Sequence, residues 1–101
     1  MMENYIGRKC IVRCHGAGVL FGEVKEIKSE ANGLNVRLGN ARKVWYWDGA
    51  AAVEQLSQDG CNDKSKITVA VPELVVANAI QIIPCTGKAI ANIEAKKEWK
   101  R

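Results

Sequence analysis

No apolar run in the sequence approaches the ~20 residues that a membrane-spanning helix needs, so we expect no membrane segment. Glu3 and Asn4 precede a strand-like segment, which is unlike the basic and apolar start of a secretory signal. Internal repeats, low-complexity tracts and linkers are also missing. With 48% hydrophobic and 26% charged residues, residues 1–101 are predicted to form one soluble, cytoplasmic domain.

The sequence has a single histidine, His15, which leaves few ways to build a catalytic site. Cys14 precedes it directly, and neighbours in a strand point to opposite faces, so this thiol and imidazole are poorly placed as nucleophile and base. The carboxylates are scattered, although folding could bring Glu23 or Asp48 near the histidine. We therefore expect no catalytic residues and a protein that is not an enzyme.

Metal and cofactor motifs are incomplete. Cys10, Cys14 and His15 have no second Cys-x-x-Cys knuckle to complete a zinc site. We therefore expect no metal and four reduced cysteines that pack as small apolar residues. The segment Gly16-Ala17-Gly18 lacks the third glycine and the following helix of a dinucleotide-binding loop, so it predicts a turn and no cofactor.

Most of the chain carries little net charge. The net charge is +4, but residues 96–101 contain four basic residues and one acidic residue, which leaves residues 1–95 nearly neutral. This short basic C-terminal tail is interpreted first as a solvated end. An anionic partner such as nucleic acid is the alternative.

The first half of the sequence predicts an antiparallel meander. Gly22 predicts a bulge or bend in the second strand, and Asn32-Gly33 and Gly39-Asn40 predict turns. The four predicted strands cover residues 8–15, 19–28, 34–38 and 42–47.

The second half mixes helices with apolar strands. Asp48 is predicted to cap a short helix from Gly49 to about Gln58, with Gly60 as its stop. Thr86 is predicted to cap a second helix over 87–97. Between the helices lie an alternating strand over 67–71 that Pro72 interrupts, and two apolar segments at 74–77 and 79–83 that predict buried strands. The expected fold is α+β, with a curved antiparallel sheet or small open β-barrel of five to six strands and two short helices.

The most distinctive stretch runs from residue 41 to residue 50, Ala-Arg-Lys-Val-Trp-Tyr-Trp-Asp-Gly-Ala. A ring-rich strand that leads into a helix N-terminus combines stacking surface, positive charge and free backbone N–H groups. We expect the rings to stack on a base, the basic pair to neutralise phosphate, and the helix start to donate N–H groups. The predicted ligand is a small anion such as a nucleotide, and the predicted binding residues are Arg42, Lys43, Trp45, Tyr46, Trp47, Asp48, Gly49 and Ala50.

Two alternatives stay open for this stretch. Exposed rings and basic residues on a small barrel also suit single-stranded nucleic acid, although the nearly neutral body disfavours a backbone-tracking groove. Alternation would instead place Trp45 and Trp47 on one face and Tyr46 on the other, so that one set is core and the other forms a homo-oligomer interface or an inhibitory contact with another protein. We expect a homo-oligomer in either case, since a ligand pocket can form between subunits.

Three segments resemble a family of small phage and prophage proteins of unknown function. They are Cys-His-Gly-Ala-Gly-Val-Leu-Phe-Gly-Glu at 14–23, Ala-Arg-Lys-Val-Trp-Tyr-Trp-Asp-Gly-Ala-Ala at 41–51, and Ala-Ile-Gln-Ile-Ile-Pro-Cys-Thr at 79–86. The resemblance covers roughly residues 10–100, with His15, Lys43 and Gln81 in place of the usual serine, arginine and glutamate. It implies a phage-type origin, a place in the host cytoplasm and, by analogy, sequestration of a host signalling nucleotide.

Overall fold

The strand-rich pattern folds into long antiparallel strands in the computed structural model, which describes residues 2–31 and 33–101. The described residues contain a 3-10 helix Met2–Tyr5, β1 Lys9–Cys14, β2 Gly18–Glu30, β3 Gly33–Tyr46, α1 Val53–Asp59, β4 Lys66–Ile67, β5 Val71–Pro84 and α2 Gly87–Glu94. The predicted α+β fold, with a curved antiparallel sheet and two short helices, is confirmed. None of the described helices has the length and apolar character needed to cross a membrane.

The strand order in the sheet is β2-β1-β5-β3-β4. The sheet is strongly curved, because β2 at one end of this order also pairs with β3 near the other end. β5 is shared along its length: its first part pairs with β3 as far as Ala79, and its last part, from Ala79 to Pro84, pairs with β1. One face of the sheet is therefore turned inward and the other carries the helices.

Two apolar clusters lie on the two faces of this sheet. The inner cluster is enclosed by the strands and comprises Cys10, Val12, Cys14, Leu20, Val24, Val36, Leu38, Ala41, Val76 and Ala79. The helix cluster lies between the sheet and the helices and comprises Ile11, Val19, Phe21, Val44, Val53, Leu56, Cys61, Ile67, Cys85, Ala89 and Ile93. On β1, the strand period of two sends Cys10 and Val12 to the inner cluster and Ile11 to the helix cluster.

A bulge at Asn40 replaces the predicted turn, and the prediction of two separate strands here is wrong. Arg42 pairs with Phe21 and Gly39 pairs with Glu23, so β3 carries one residue more than β2 over this span. Asn40 adopts the left-handed φ of 47° that a bulge of this kind requires. An extra residue reverses which face each later side chain occupies, and Arg42 is consequently turned towards the helices.

Gly22 lies opposite this bulge, and the predicted irregularity in β2 is confirmed by a register shift between Phe21 and Glu23. A Cβ atom at Gly22 would lie 3.1 Å from the carbonyl oxygen of Gly39. The strands therefore approach too closely for a larger residue. The other predicted turn, Asn32-Gly33, includes Asn32, which lies outside the described residues.

The helix termini confirm some predictions and correct others. α1 begins at Val53 rather than Gly49, and its N-cap, Ala52, offers no side-chain hydrogen bond. Asp48 is therefore not the cap. Gly60 ends α1 with a φ of 80°, as predicted. The Thr86 cap of α2 is also confirmed, since its side chain accepts a hydrogen bond from the backbone N–H of Ala89, but α2 ends at Glu94.

The apolar segments after Pro72 form one strand rather than two. β5 runs through Pro72 and bends at Asn78, which has a φ of 59°. The prediction that these segments are buried is only partly right, because Val75 is 62% exposed and Ile80 is 59% exposed. The predicted strand before Pro72 shortens to the two residues of β4.

Gly60→Ala is expected to destabilise the fold by about 1–3 kcal/mol. The new Cβ would lie 2.3 Å from Oδ1 of Asn92, and the backbone there is left-handed. Urea unfolding measures the loss. Gly16→Ala is the matched control, because a Cβ at Gly16 would meet nothing within 4 Å. Equal stability of the two variants would contradict the conclusion that α1 requires glycine at its C-cap.

Candidate functional site

Arg42 is buried, with only 6% of its surface exposed, and its guanidinium joins separate parts of the chain. Nε donates to the carbonyl oxygen of Thr68 at 2.8 Å, Nη1 donates to that of Ile93 at 3.0 Å, and Nη2 donates to that of Ile67 at 3.2 Å. The planar guanidinium presents donors in several fixed directions, which suits three carbonyls at once. Arg42 thereby connects β3, β4 and the end of α2.

The geometry corrects the expectation that Arg42 neutralises a ligand phosphate. Burial lowers the pKa of its guanidinium, and the nearby carboxylate of Glu98 opposes that shift. A buried cation with three carbonyl partners is compensated within the protein. Arg42 is therefore a structural residue in this arrangement.

The C-terminal tail, interpreted above as a solvated end, is attached to the body at several points. The backbone N–H of Trp99 donates to the carbonyl oxygen of Ile67 at 2.8 Å. The Glu98 carboxylate accepts a hydrogen bond from the backbone N–H of Ala70 at 3.1 Å. Lys96 lies 3.2 Å from a carboxylate oxygen of Asp63. Only part of the tail's charge is thus free for a partner.

Trp45, which is exposed, forms an aromatic pair with the half-buried Trp99. Their ring centroids are 4.9 Å apart with an interplanar angle of 20°, which is a stacked arrangement. The ammonium group of Lys66 lies 5.3 Å from the centroid of Trp45 and 5.5 Å from that of Trp99, within the range of a cation–π interaction. Trp45 remains 54% exposed and Tyr46 remains 46% exposed. We call Trp45, Tyr46, Lys66 and Trp99 the ring surface.

Trp47 has different surroundings from Trp45, so the expectation that the two tryptophans share a face is wrong. Val44 pairs with Ile67 and Tyr46 pairs with Lys66, which leaves Trp45 as an extra residue in the ladder. A second bulge therefore interrupts the alternation. Trp45 turns out towards Trp99, whereas Trp47 packs against the helix cluster and is half-buried.

A cleft of about 470 Å³ opens beside Trp47, between the β1–β2 turn and the start of α1. This volume falls within the ~300–1,000 Å³ that is usual for small-ligand sites. We call it the junction cleft, and its lining residues are Arg13, Cys14, Gly18, Val19, Trp47, Ala52, Val53 and Glu54.

The charges around the junction cleft are of both signs. Arg13 lines it and is exposed. In the described part of the chain, no ion pair within 4 Å involves Arg13. Glu54 supplies a carboxylate to the same cavity, near enough for the charge of Arg13 to act on it. Lys43 lies on the other face of the sheet, because it pairs with Leu20 of the inner cluster, whereas Val19 and Trp47 face the helix cluster.

The predicted binding residues are therefore divided between several places. Trp47 lies at the junction cleft, Lys43 lies on the other face of the sheet, Trp45 and Tyr46 form part of the ring surface, and Arg42 is buried. The last three predicted residues, Asp48, Gly49 and Ala50, lie in the loop before α1.

This loop is occupied by internal contacts. The Asp48 carboxylate accepts a hydrogen bond from Nδ2 of Asn62 at 2.7 Å, and Ala50 packs against the helix cluster. The backbone N–H of Ala51 donates to Oε1 of Gln55 at 2.7 Å. Of the N–H groups expected to meet a phosphate, that of Ala51 is thus already bonded within the protein.

The sequence patterns did not indicate four residues of these two surfaces as binding candidates: Arg13, Glu54, Lys66 and Trp99. Arg13 lies in the first strand, whose outward face gave no distinctive pattern. Trp99 lies beyond the second predicted helix, and nothing in the local sequence connects it with Trp45. The stacked pair depends on long-range packing of the C-terminal segment.

The cysteines are buried free thiols. Burial raises the pKa of Cys10 to about 11 and that of Cys85 to about 12, so both remain protonated and weakly nucleophilic at neutral pH. The Cys14 thiol donates to the carbonyl oxygen of Ala77 at 2.9 Å, while the side chain of His15 is exposed.

A protein-family model described as a Domain of unknown function (DUF6948) matches residues 7–93 of the chain. No curated protein and no solved structure matches it. The match spans β1 to β5, α1, the junction cleft and most of α2.

Arg42→Met is expected to lower the free energy of unfolding by about 2–4 kcal/mol. The change keeps much of the side-chain bulk but removes three hydrogen bonds, one of which satisfies the carbonyl of Thr68. Urea unfolding at constant m-value measures the loss. Arg37→Met is the matched control, because Arg37 is partly exposed and pairs with the exposed Glu26 and Glu73. Similar losses in both variants would contradict a special role for Arg42.

Proposed function

Because the chain belongs to the DUF6948 family, whose description names no activity, we propose a function from the junction cleft itself: non-enzymatic binding of a small anionic ligand that contains a planar ring. A nucleotide or cyclic nucleotide has this chemistry. The ring would lie against Trp47, and the phosphate would lie towards Arg13.

The observation that carries this proposal is the convergence of an indole and a guanidinium in one cavity. Trp47 supplies an apolar surface in the cleft, and Arg13 lines the same cavity. Among the described residues, Arg13 has no ion pair within 4 Å. Aromatic stacking contributes about 1–3 kcal/mol per base, and a hydrogen bond from a cation to phosphate is stronger than one between neutral groups.

Binding is tested by calorimetry and thermal shift with nucleoside monophosphates, cyclic dinucleotides and inorganic phosphate. A nucleotide at 100 times its Kd should stabilise the protein by about 2.7 kcal/mol, which raises the melting temperature by several degrees. Arg13→Gln and Trp47→Leu should each weaken nucleotide binding by about tenfold.

Arg37→Gln and Trp45→Ala serve as matched controls, since they make comparable changes on β3 away from the cleft lining. Neither should alter the Kd for the nucleotide by more than about twofold. The proposal fails if no nucleotide or cyclic dinucleotide binds, or if Arg37→Gln weakens binding as much as Arg13→Gln does.

A phage-type accessory role extends this proposal. It is supported by the resemblance of residues 14–23, 41–51 and 79–86 to small phage and prophage proteins. A protein that binds a nucleotide without converting it can sequester that nucleotide from a host signalling pathway. The weak nucleophilicity of the buried Cys10 and Cys85 thiols is consistent with binding rather than catalysis.

The ring surface supports single-stranded nucleic acid as a second candidate ligand. Its exposed Trp45 ring and the Lys66 ammonium combine stacking with positive charge, as in many single-strand binding sites. The same exposed rings also suit contact with a second copy of the chain, which sedimentation of the wild type and of Trp45→Ala would reveal.

Polynucleotide binding on the ring surface predicts a steep dependence on salt. Affinity for a short single-stranded oligonucleotide should fall several-fold between 50 and 200 mM salt, because bound cations are released from the phosphate backbone. Trp45→Ala should weaken this binding, whereas Trp47→Leu should not. Fluorescence anisotropy measures both effects. Oligonucleotide affinity that is unchanged by salt and by Trp45→Ala would exclude this candidate.

A further inference from the structure

Glu54 lies on one wall of the junction cleft, in the first turn of α1. Its side chain is exposed, and Oε2 of the carboxylate accepts a hydrogen bond from Nε2 of Gln81 at 2.9 Å. Gln81 lies on β5, directly opposite Arg13 on β1. This hydrogen bond joins the carboxylate on the helix to the sheet beside Arg13.

This wall offers hydrogen-bond acceptors. The hydrogen bond from Gln81 is the largest influence that lowers the pKa of Glu54, and the charge of Arg13 adds to it. An ionised carboxylate only accepts hydrogen bonds, and its two oxygens have room for about four. Because Gln81 donates through its Nε2, its own carbonyl oxygen is another acceptor at the same place.

The charged groups of the cleft therefore make opposite demands on a ligand. The guanidinium of Arg13 favours a negative group, whereas the carboxylate of Glu54 repels one. A ligand that satisfies both carries its anionic group at one end and N–H donors on the edge of its ring. Charge-assisted hydrogen bonds to a carboxylate are among the strongest polar contacts in proteins.

We infer that Glu54 is a specificity-determining residue, and that it selects a nucleotide whose base presents two adjacent N–H donors, as guanine does with its N1–H and 2-amino groups. This inference rests on the proposed function of the cleft. Adenine presents an acceptor at N1, which would face the carboxylate without a proton between them. Hypoxanthine keeps the N1–H but lacks the amino group.

The test compares the binding of guanosine, inosine and adenosine 5′-monophosphates by calorimetry. The wild type should bind the guanine nucleotide about tenfold more tightly than the inosine nucleotide and more tightly still than the adenine nucleotide, since unmatched polar groups are strongly rejected. Glu54→Gln should lose most of this preference, because its amide offers one donor and one acceptor in place of two acceptors.

Glu73→Gln is the matched control, since Glu73 is an exposed carboxylate on β5 away from the cleft lining, and it should keep the preference for guanine. Equal affinities for the three nucleotides in the wild type, or an unchanged preference in Glu54→Gln, would overturn the inference. If the three nucleotides bind equally and Arg13→Gln weakens all of them, the proposed function stands and the inference alone fails. If none binds, both fail.

Discussion

The guanidinium of Arg42 is the contact on which the C-terminal third of the structure depends. It donates to carbonyl oxygens of β4, of the residue after β4 and of the last turn of α2. The backbone N–H of Trp99 bonds to one of the same carbonyls, that of Ile67. Arg42 therefore supports the position of the C-terminal segment, and through it the stacking of Trp99 on Trp45.

The Asn40 bulge is what turns Arg42 towards these carbonyls. Val36 and Leu38 belong to the inner cluster, and an uninterrupted strand would send residue 42 to the same side. The extra residue reverses the alternation, so Val44 reaches the helix cluster instead. Gly22 provides the space for this irregularity on the neighbouring strand. One extra residue thus converts an apparent ligand-binding arginine into a structural one.

The local patterns of the sequence predicted those features that local chemistry decides. The first two strands, the Gly22 irregularity, the Gly60 stop and the Thr86 cap follow from backbone preferences of single residues and near neighbours. The Gly39-Asn40 pair was misinterpreted because the same left-handed preference serves a turn and a bulge. Whether the chain reverses there depends on pairing with β2 and β5, which no local pattern contains.

The junction cleft shows the same division between local and long-range information. Trp47 and Lys43 belong to one continuous segment, but only Trp47 lines the cleft, because Lys43 lies on the other face of the sheet. Arg13 and Glu54 come from β1 and α1, and they meet Trp47 only because two bulges in β3 set the direction of its side chains. A surface assembled across the sheet in this way combines opposite charges that a single segment does not. That combination is why we propose a polar, asymmetric ligand for the cleft rather than any anion.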